Sequence, residues 1–228
     1  MNKISCRLPG GYVDRNGVVH RDALLSPLTG QEEELLAGSG IGSIACLVTA
    51  ILERCIHGIG TISPLTEEVA RNLLVADRQY LLLKLREVTF GENVQTTIFC
   101  PWPGCGQKVD IAFSLKDIPV EESADKGPVY TVTLSPEAVF CDKLGERYTE
   151  IDFRLPNGCD QEALSFIIVE NEAMALTRLF ERCIKKIGHV ENPEKELIAQ
   201  ISPTARMEIE NQMDKVAPKV NLTMGTQC

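Results

Sequence analysis

Cys100 and Cys105 bracket the run Pro101-Trp102-Pro103-Gly104. Two prolines and a glycine cannot continue a strand, so the chain must turn there with both thiols at the tip. Thiolates on adjacent tight turns can fill two corners of a zinc tetrahedron, the arrangement of zinc ribbons and rubredoxin-like hairpins. The spacing is at the wide end for a ligand pair, and no second C-x-x-C or H-x-x-x-H follows. Cys228 is the expected third ligand if the two halves of the chain pack pseudosymmetrically, and no fourth is visible. The metal expectation is therefore zinc on Cys100, Cys105 and Cys228, against a hairpin kept for its shape without metal.

Other chemistry is thinly represented. Residues 38–43, GSGIGS, are glycine-rich but lack the Lys-Ser/Thr pair of a phosphate loop, and they read as a flexible joint. His20, His57 and His189 stand in no ligand spacing, and no serine sits in a G-x-S-x-G elbow. Glu32, Glu33 and Glu34 open a helix, where the helix dipole favours acids. No catalytic residue is expected, and the chain reads as a non-enzyme.

The tip requires strands to carry it. Val94, Thr96 and Ile98 alternate with polar residues before the tip, and Val109, Ile111 and Phe113 do so after it, which predicts a β-hairpin. Upstream, GGYVDRNGVVHRDALLSPLTG predicts two short strands about the turn Asp14–Gly17, with Ala23 and Leu25 on one face. Thr29 is placed to cap a helix. Ile44, Leu47, Ile51 and Cys55 then recur at helical spacing in a helix expected to stop at Gly58 or Gly60. TEEVARNLLVA and DRQYLLLKLREV predict two more helices, the second with Leu81, Leu85 and Val88 as its apolar stripe.

The same helix end is written twice, as ILERCIHGIG at residues 51–60 and LFERCIKKIG at 179–188. A shift of 128 residues, without gaps, also pairs Asp14 with Asp142, Gly17 with Gly145, Gly30 with Gly158, Glu34 with Glu162, Leu36 with Leu164, Arg78 with Arg206 and Cys100 with Cys228. Roughly a fifth of the pairs between residues 14–100 and 142–228 are identical, many of them at turn and helix-end positions. The expected fold is α+β, in two tandem pseudo-repeats. Each has short leading strands, a helical bundle and a cysteine-bearing hairpin, the second hairpin incomplete. The expected boundaries are 1–114 for the first lobe, 115–128 for a polar linker and 129–228 for the second. Arg54 is expected to pair with Glu34 and Arg182 with Glu162, or with nearby backbone oxygens, at the repeated helix ends, and Cys55 and Cys183 to be buried hydrophobes.

A net charge of −9, with 44% apolar and 24% charged residues, fits a globular protein with a sizeable core. It disfavours nonspecific nucleic-acid binding, and only Lys108 supplies positive charge beside the hairpin. No segment predicts a signal peptide or a membrane span, and an odd count of nine cysteines argues for reduced thiols. The expected location is the cytoplasm.

PLTGQEEELL, then LLVADRQYLLLKLREVTFGENV running into FCPWPGCGQKVDIAFSL, and finally IDFRLPNGCDQEAL, together resemble baseplate proteins of contractile-tailed bacteriophages and related injection systems. The resemblance is to the T-even-type baseplate hub and hub-assembly family and touches both lobes. It implies a structural or assembly component of a multi-subunit baseplate in the bacterial host, contacting hub or spike proteins and carrying no catalytic residues. Members of that family carry a tighter C-P-x-C at the hairpin. A zinc-ribbon protein binding nucleic acid or a regulatory partner is the alternative.

Overall fold

The computed structural model describes residues 3–38, 42–123, 127–223 and 225. The chain opens with β1 (Ile4–Val13) and β2 (Val19–Leu25), an antiparallel pair about the expected turn. Asp14 makes that turn: its Oδ1 accepts from the N–H groups of Asn16 at 2.8 Å and Val18 at 2.9 Å. Helix α1 (Gly30–Ala37) begins with a capping box between Thr29 and Glu32, and α2 (Ile44–Cys55) begins on the Ser43 side chain.

The expectation that this second helix runs to Gly58 or Gly60 is corrected. It stops at Cys55, and the chain leaves at once as β3 (Ile56–Ile59), antiparallel to β2 with Ala23 facing Ile59 and Leu24 facing Gly58. A Cβ at Gly58 would stand 2.6 Å from the Ile62 carbonyl oxygen, so the glycine permits a tight return under the strand instead of ending a helix. Helices α3 (Glu67–Asn72) and α4 (Val75–Phe90) follow, then the hairpin β4 (Asn93–Phe99) and β5 (Lys108–Ser114). Its register sets Val94 opposite Phe113, Thr96 opposite Ile111 and Ile98 opposite Val109, as the alternation predicts.

The stretch read as a linker is not featureless. It holds a 3-10 turn at Leu115–Asp117 and a short strand, β6 (Val120–Glu121). Beyond it lie β7 (Tyr130–Thr133), β8 (Phe140–Cys141), β9 (Arg147–Tyr148), β10 (Glu150–Phe153), α5 (Gly158–Leu164), α6 (Ile167–Glu170), α7 (Glu172–Cys183), β11 (Ile184–Ile187), β12 (Val190–Glu191), α8 (Lys195–Ile198), α9 (Pro203–Val216) and β13 (Lys219–Val220). The protein is mixed α+β. Its antiparallel sheets run β1-β2-β3 and β12-β11-β10-β7, with two-stranded pairs β4-β5, β8-β9 and β6-β13.

Two cores sit on the two larger sheets. One gathers Leu8, Leu25, Leu52, Ile59, Leu81 and Leu85, and the other Ile151, Phe153, Phe180, Ile187 and Ile209, all essentially without solvent contact. Each such side chain contributes on the order of 1.5–3 kcal/mol by leaving water. Ala23, Leu25, Ile151 and Phe153 all face inward as expected, and Cys55 and Cys183 are buried.

Many details recur at an offset of 128 residues. The bounds of α7 are those of α2 so displaced, the bounds of β11 are those of β3, and α5 and α9 start where displaced α1 and α4 start. Ile151 faces Ile187 as Ala23 faces Ile59, and both pairings stay regular for one more residue and then slip, to Phe153–Ile184 and Leu25–Ile56. Gly60 donates to the Asp22 carbonyl at 2.8 Å with φ +57°, and Gly188 to that of Glu150 at 2.8 Å with φ +56°. Asp142 turns its loop through the N–H groups of Leu144 at 2.8 Å and Glu146 at 3.0 Å, as Asp14 turns the first. The first strands differ: Cys6 lies opposite Ala23, whereas Val132, not Leu134, lies opposite Ile151, a slide of two residues.

Candidate functional site

The hairpin tip carries the sequence-predicted cysteines. Cys100 closes the ladder, its N–H donating to the Gln107 carbonyl at 2.8 Å, and the Cys105 N–H donates to the Trp102 carbonyl at 3.0 Å. Both side chains are half-buried, and Cys228 lies outside the described residues. Among the described residues, no three His, Cys, Asp or Glu side chains gather as a metal-binding group. Residues 39–41 of the glycine-rich joint also lie outside the described set.

What the tip offers is apolar surface. Trp102 is 75% exposed and Phe99 66%, and Lys108 Nζ lies 6.0 Å from the Phe99 ring. Every residue of β4 except Val94 is exposed, whereas β5 buries Val109 and half-buries Ile111 and Phe113, so the arm shows solvent mainly along its β4 edge and tip. An unsupported two-stranded ribbon is marginal in water, and large exposed aromatic rings mark contact surfaces. A second apolar patch lies at Ile44, Phe166, Ile168 and Val169, all exposed.

The junction between the two cores is polar and closely fitted. Helix α5 lies against α2, α3 and α4. The Gly158 N–H donates to the Leu73 carbonyl at 3.1 Å, and Val75 donates to that of Pro156 at 3.3 Å. Beneath Gly158 lies Arg78, only 1% exposed, whose Nη1 donates to Thr49 Oγ1 at 3.0 Å and the Ala70 carbonyl at 2.9 Å, and whose Nη2 donates to the Ala45 carbonyl at 2.8 Å. Burial pulls the guanidinium pKa down, while the Glu162 carboxylate opposes that shift. Glu162 accepts from Thr49 Oγ1 and from Arg71 Nε at 2.8 Å. The expected Arg182–Glu162 pair is thus corrected: Glu162 reaches across to Thr49 on α2 and Arg71 on α3.

Arg182 instead finds Asp160, Nε to Oδ1 at 2.6 Å. Asp160 is fully buried and also takes a two-pronged bond from Arg154, at 2.6 and 2.9 Å, plus the Asn157 N–H at 2.9 Å. Burial pushes its carboxyl up, but these donors outweigh that and hold it below the usual carboxylate range. At the start of α1 the Thr29 hydroxyl, with the charge of Arg54 as a smaller contribution, holds the capping Glu32 below the usual carboxylate range. The N3 acid of a capping box points back toward the core end of the helix, whereas the next acid but one faces away. The spacing N-x-x-D at Asn157–Asp160 carried that signal in the sequence.

Asp77 is a further buried carboxylate that the sequence did not single out. It receives the N–H groups of Gly10 at 2.8 Å and Gly11 at 2.9 Å, pinning the irregular middle of β1 to α4. Burial pushes it up to about 6, against the pull of those two donors and of Arg21. Arg78, Asp77, Asp160 and Glu162 all bind other parts of the same chain. Among the described residues, no helix is long and apolar enough to cross a membrane.

A family model described as T4 bacteriophage base plate protein matches residues 2–228. No curated protein and no solved structure matches the chain.

Proposed function

Because the chain belongs to the T4 bacteriophage base plate protein family, we propose that it acts as a non-enzymatic protein–protein adaptor of the phage baseplate, within a multi-subunit assembly of the virion tail. In this reading it is built of two tandem pseudo-repeats, residues 1–114 and 129–228, joined through 115–128, and it meets hub or spike proteins as it is assembled in the host cytoplasm. The observation that carries the adaptor role is the raised hairpin with exposed Phe99 and Trp102 at its tip. A partner that covers these rings gains their burial at a reduced ordering cost, because the β4–β5 ladder holds Phe99 and the Cys105 N–H to Trp102 carbonyl bond closes the turn that carries Trp102. The repeat is supported by the displaced helix bounds, the shared β2–β3 and β10–β11 registers and the paired turn glycines described above.

The test is co-expression with the neighbouring tail genes and recovery of complexes. The wild-type chain should retain a tail protein, and Phe99→Ala with Trp102→Ala should cut that retention at least about tenfold, as central aromatic contacts do, with an unchanged melting temperature. Recovery of nucleic acid in place of tail proteins would turn the reading toward a zinc-ribbon regulator.

A further inference from the structure

We propose that the outer face of the second lobe, made by α7, α8 and α9, is a docking site for α1 of another copy of this chain, so that copies join head to tail. The inference rests on the tandem-repeat reading. Helix α5 of the second lobe sits on α2, α3 and α4 of the first, with Gly158 over Arg78 and Glu162 against Thr49 and Arg71. Displaced by 128 residues, the seated helix becomes α1, and the seat becomes α7–α9.

The seat is already built. Arg206 Nη1 donates to Thr177 Oγ1 at 2.7 Å, as Arg78 does to Thr49, and Thr177 Oγ1 donates to the Ala173 carbonyl at 3.1 Å, whereas Thr49 Oγ1, 3.2 Å from the Ala45 carbonyl, gives its one proton to Glu162. In the first lobe this surface is covered, with Thr49 and Arg78 buried. In the second, Ala173, Ala199 and Met207 are exposed.

The missing occupant is equally visible. A Cβ at Gly158 would stand 2.3 Å from Arg78 Nη1 and 2.8 Å from the Arg71 carbonyl oxygen, so that position requires glycine. Its counterpart Gly30 has nothing within 4 Å and no positive φ, so nothing in a single copy calls for a glycine at this helix start. Glu34 and Leu36 are exposed, whereas their counterparts Glu162 and Leu164 are half-buried at the junction. A copy seated on Arg206 would account for both. The chemistry suits it: Glu34 on α1 would meet the Thr177 hydroxyl beside Arg206, on a face whose Arg178 and Lys195 stand with Glu181 and Glu196.

Two replacements weaken the copy-to-copy seat relative to the internal one. Pro203 stands where Val75 donates an N–H, and Ala199 stands where Arg71 binds Glu162. The internal contact is also helped by its tether, which the second copy lacks. Association should therefore be reversible and concentration-dependent. Because donor and acceptor are different surfaces, the contact is heterologous and leads to rings or open chains, not to a closed twofold dimer.

Sedimentation of the full chain over a concentration series tests this, with Gly30→Gln and Ala199→Glu as variants whose side chains meet open space in one copy. The wild-type mass should rise with concentration. Each variant should stay monomeric with an unchanged melting temperature, and their equimolar mixture should give dimers and nothing larger, since one intact α1 meets one intact seat. A wild-type chain that is monomeric throughout, assembly that survives either variant, or a mixture that stays monomeric would overturn the proposal. Retention of tail proteins by a strictly monomeric wild-type chain would reject self-docking while leaving the adaptor reading intact, and self-assembly without tail-protein retention would do the reverse.

Discussion

Gly158 lies directly over Arg78, so close that a Cβ would come within 2.3 Å of the guanidinium Nη1. The arginine cannot retreat, because three acceptors on α2 and α3 hold its two terminal nitrogens. Gly158→Ala should therefore destabilise the protein by about 1–3 kcal/mol, the usual cost of overpacking. Gly30→Ala, at the equivalent but open position, should be neutral or stabilising by up to about 1 kcal/mol in the monomer. Thermal or urea melts of the two variants side by side check this, and equal effects would contradict the close fit.

Asp77 and Asp160 should respond to pH in opposite senses. Asp77 has a folded pKa raised to about 6, so its favourable contribution is complete below the unfolded value and is lost as pH rises through about 6. The stability of the wild-type relative to Asp77→Asn should accordingly fall by about 2–3 kcal/mol between pH 4 and pH 7. Asp160 is held below the ordinary range, so its contribution is present above the unfolded value and is lost as pH falls through the folded one. Asp160→Ala at neutral pH leaves Arg154 and Arg182 without their carboxylate and removes a helix cap, a loss of about 3–5 kcal/mol. Denaturant titrations at several pH values read both effects.

Thiol labelling should divide the cysteines sharply. Burial pushes Cys55 up to about 11 and Cys183 up to about 12, leaving almost no thiolate at neutral pH. Both should react with a maleimide only on the timescale of unfolding, whereas the exposed Cys141 should be modified at once. Mass spectrometry of timed samples follows each site, and prompt labelling of Cys183 would refute its place in the core.

A chelator separates the hairpin's shape from metal chemistry. The β4–β5 ladder is paired from Asn93–Ser114 to Phe99–Lys108, and the tip turn closes with backbone bonds of its own. EDTA should therefore leave both melting temperature and tail-protein retention unchanged. A fall of several degrees on chelation, reversed by zinc, would support Cys100, Cys105 and Cys228 as ligands.

The hairpin, the first strands and most helix starts were legible because alternation, helical spacing and capping residues point the same way there. The helix that gives way at Cys55 was not. Ile56 and Ile59 fit a helix stripe as well as a strand, and only pairing with Leu25 and Ala23 decides for the strand. Short strands such as Val120–Glu121 carry no periodicity, since their partner, Lys219–Val220, is almost a hundred residues away. The arginine partners were misassigned for a related reason: charge type was readable, but which acid turns inward depends on the cap. Asp77 escaped notice because an acid in the first turn of a helix ordinarily faces water, and only the two glycines of β1 draw it inside.

The partition of the two cores has a consequence for the order in which the chain acquires its structure. Every described residue of the first core, with the half-buried side chains packed on it, lies between Cys6 and Val88, so this nucleus can form before the second core has left the ribosome. During that interval Arg78 and Thr49 face solvent, and Gly158 has not yet arrived to cover them. Synthesis is thus expected to pass through a half-made species with a wet arginine shelf, which is closed when the second half docks. Pulsed hydrogen exchange on nascent chains would show the Leu52 and Leu81 amides protected well before that of Gly158.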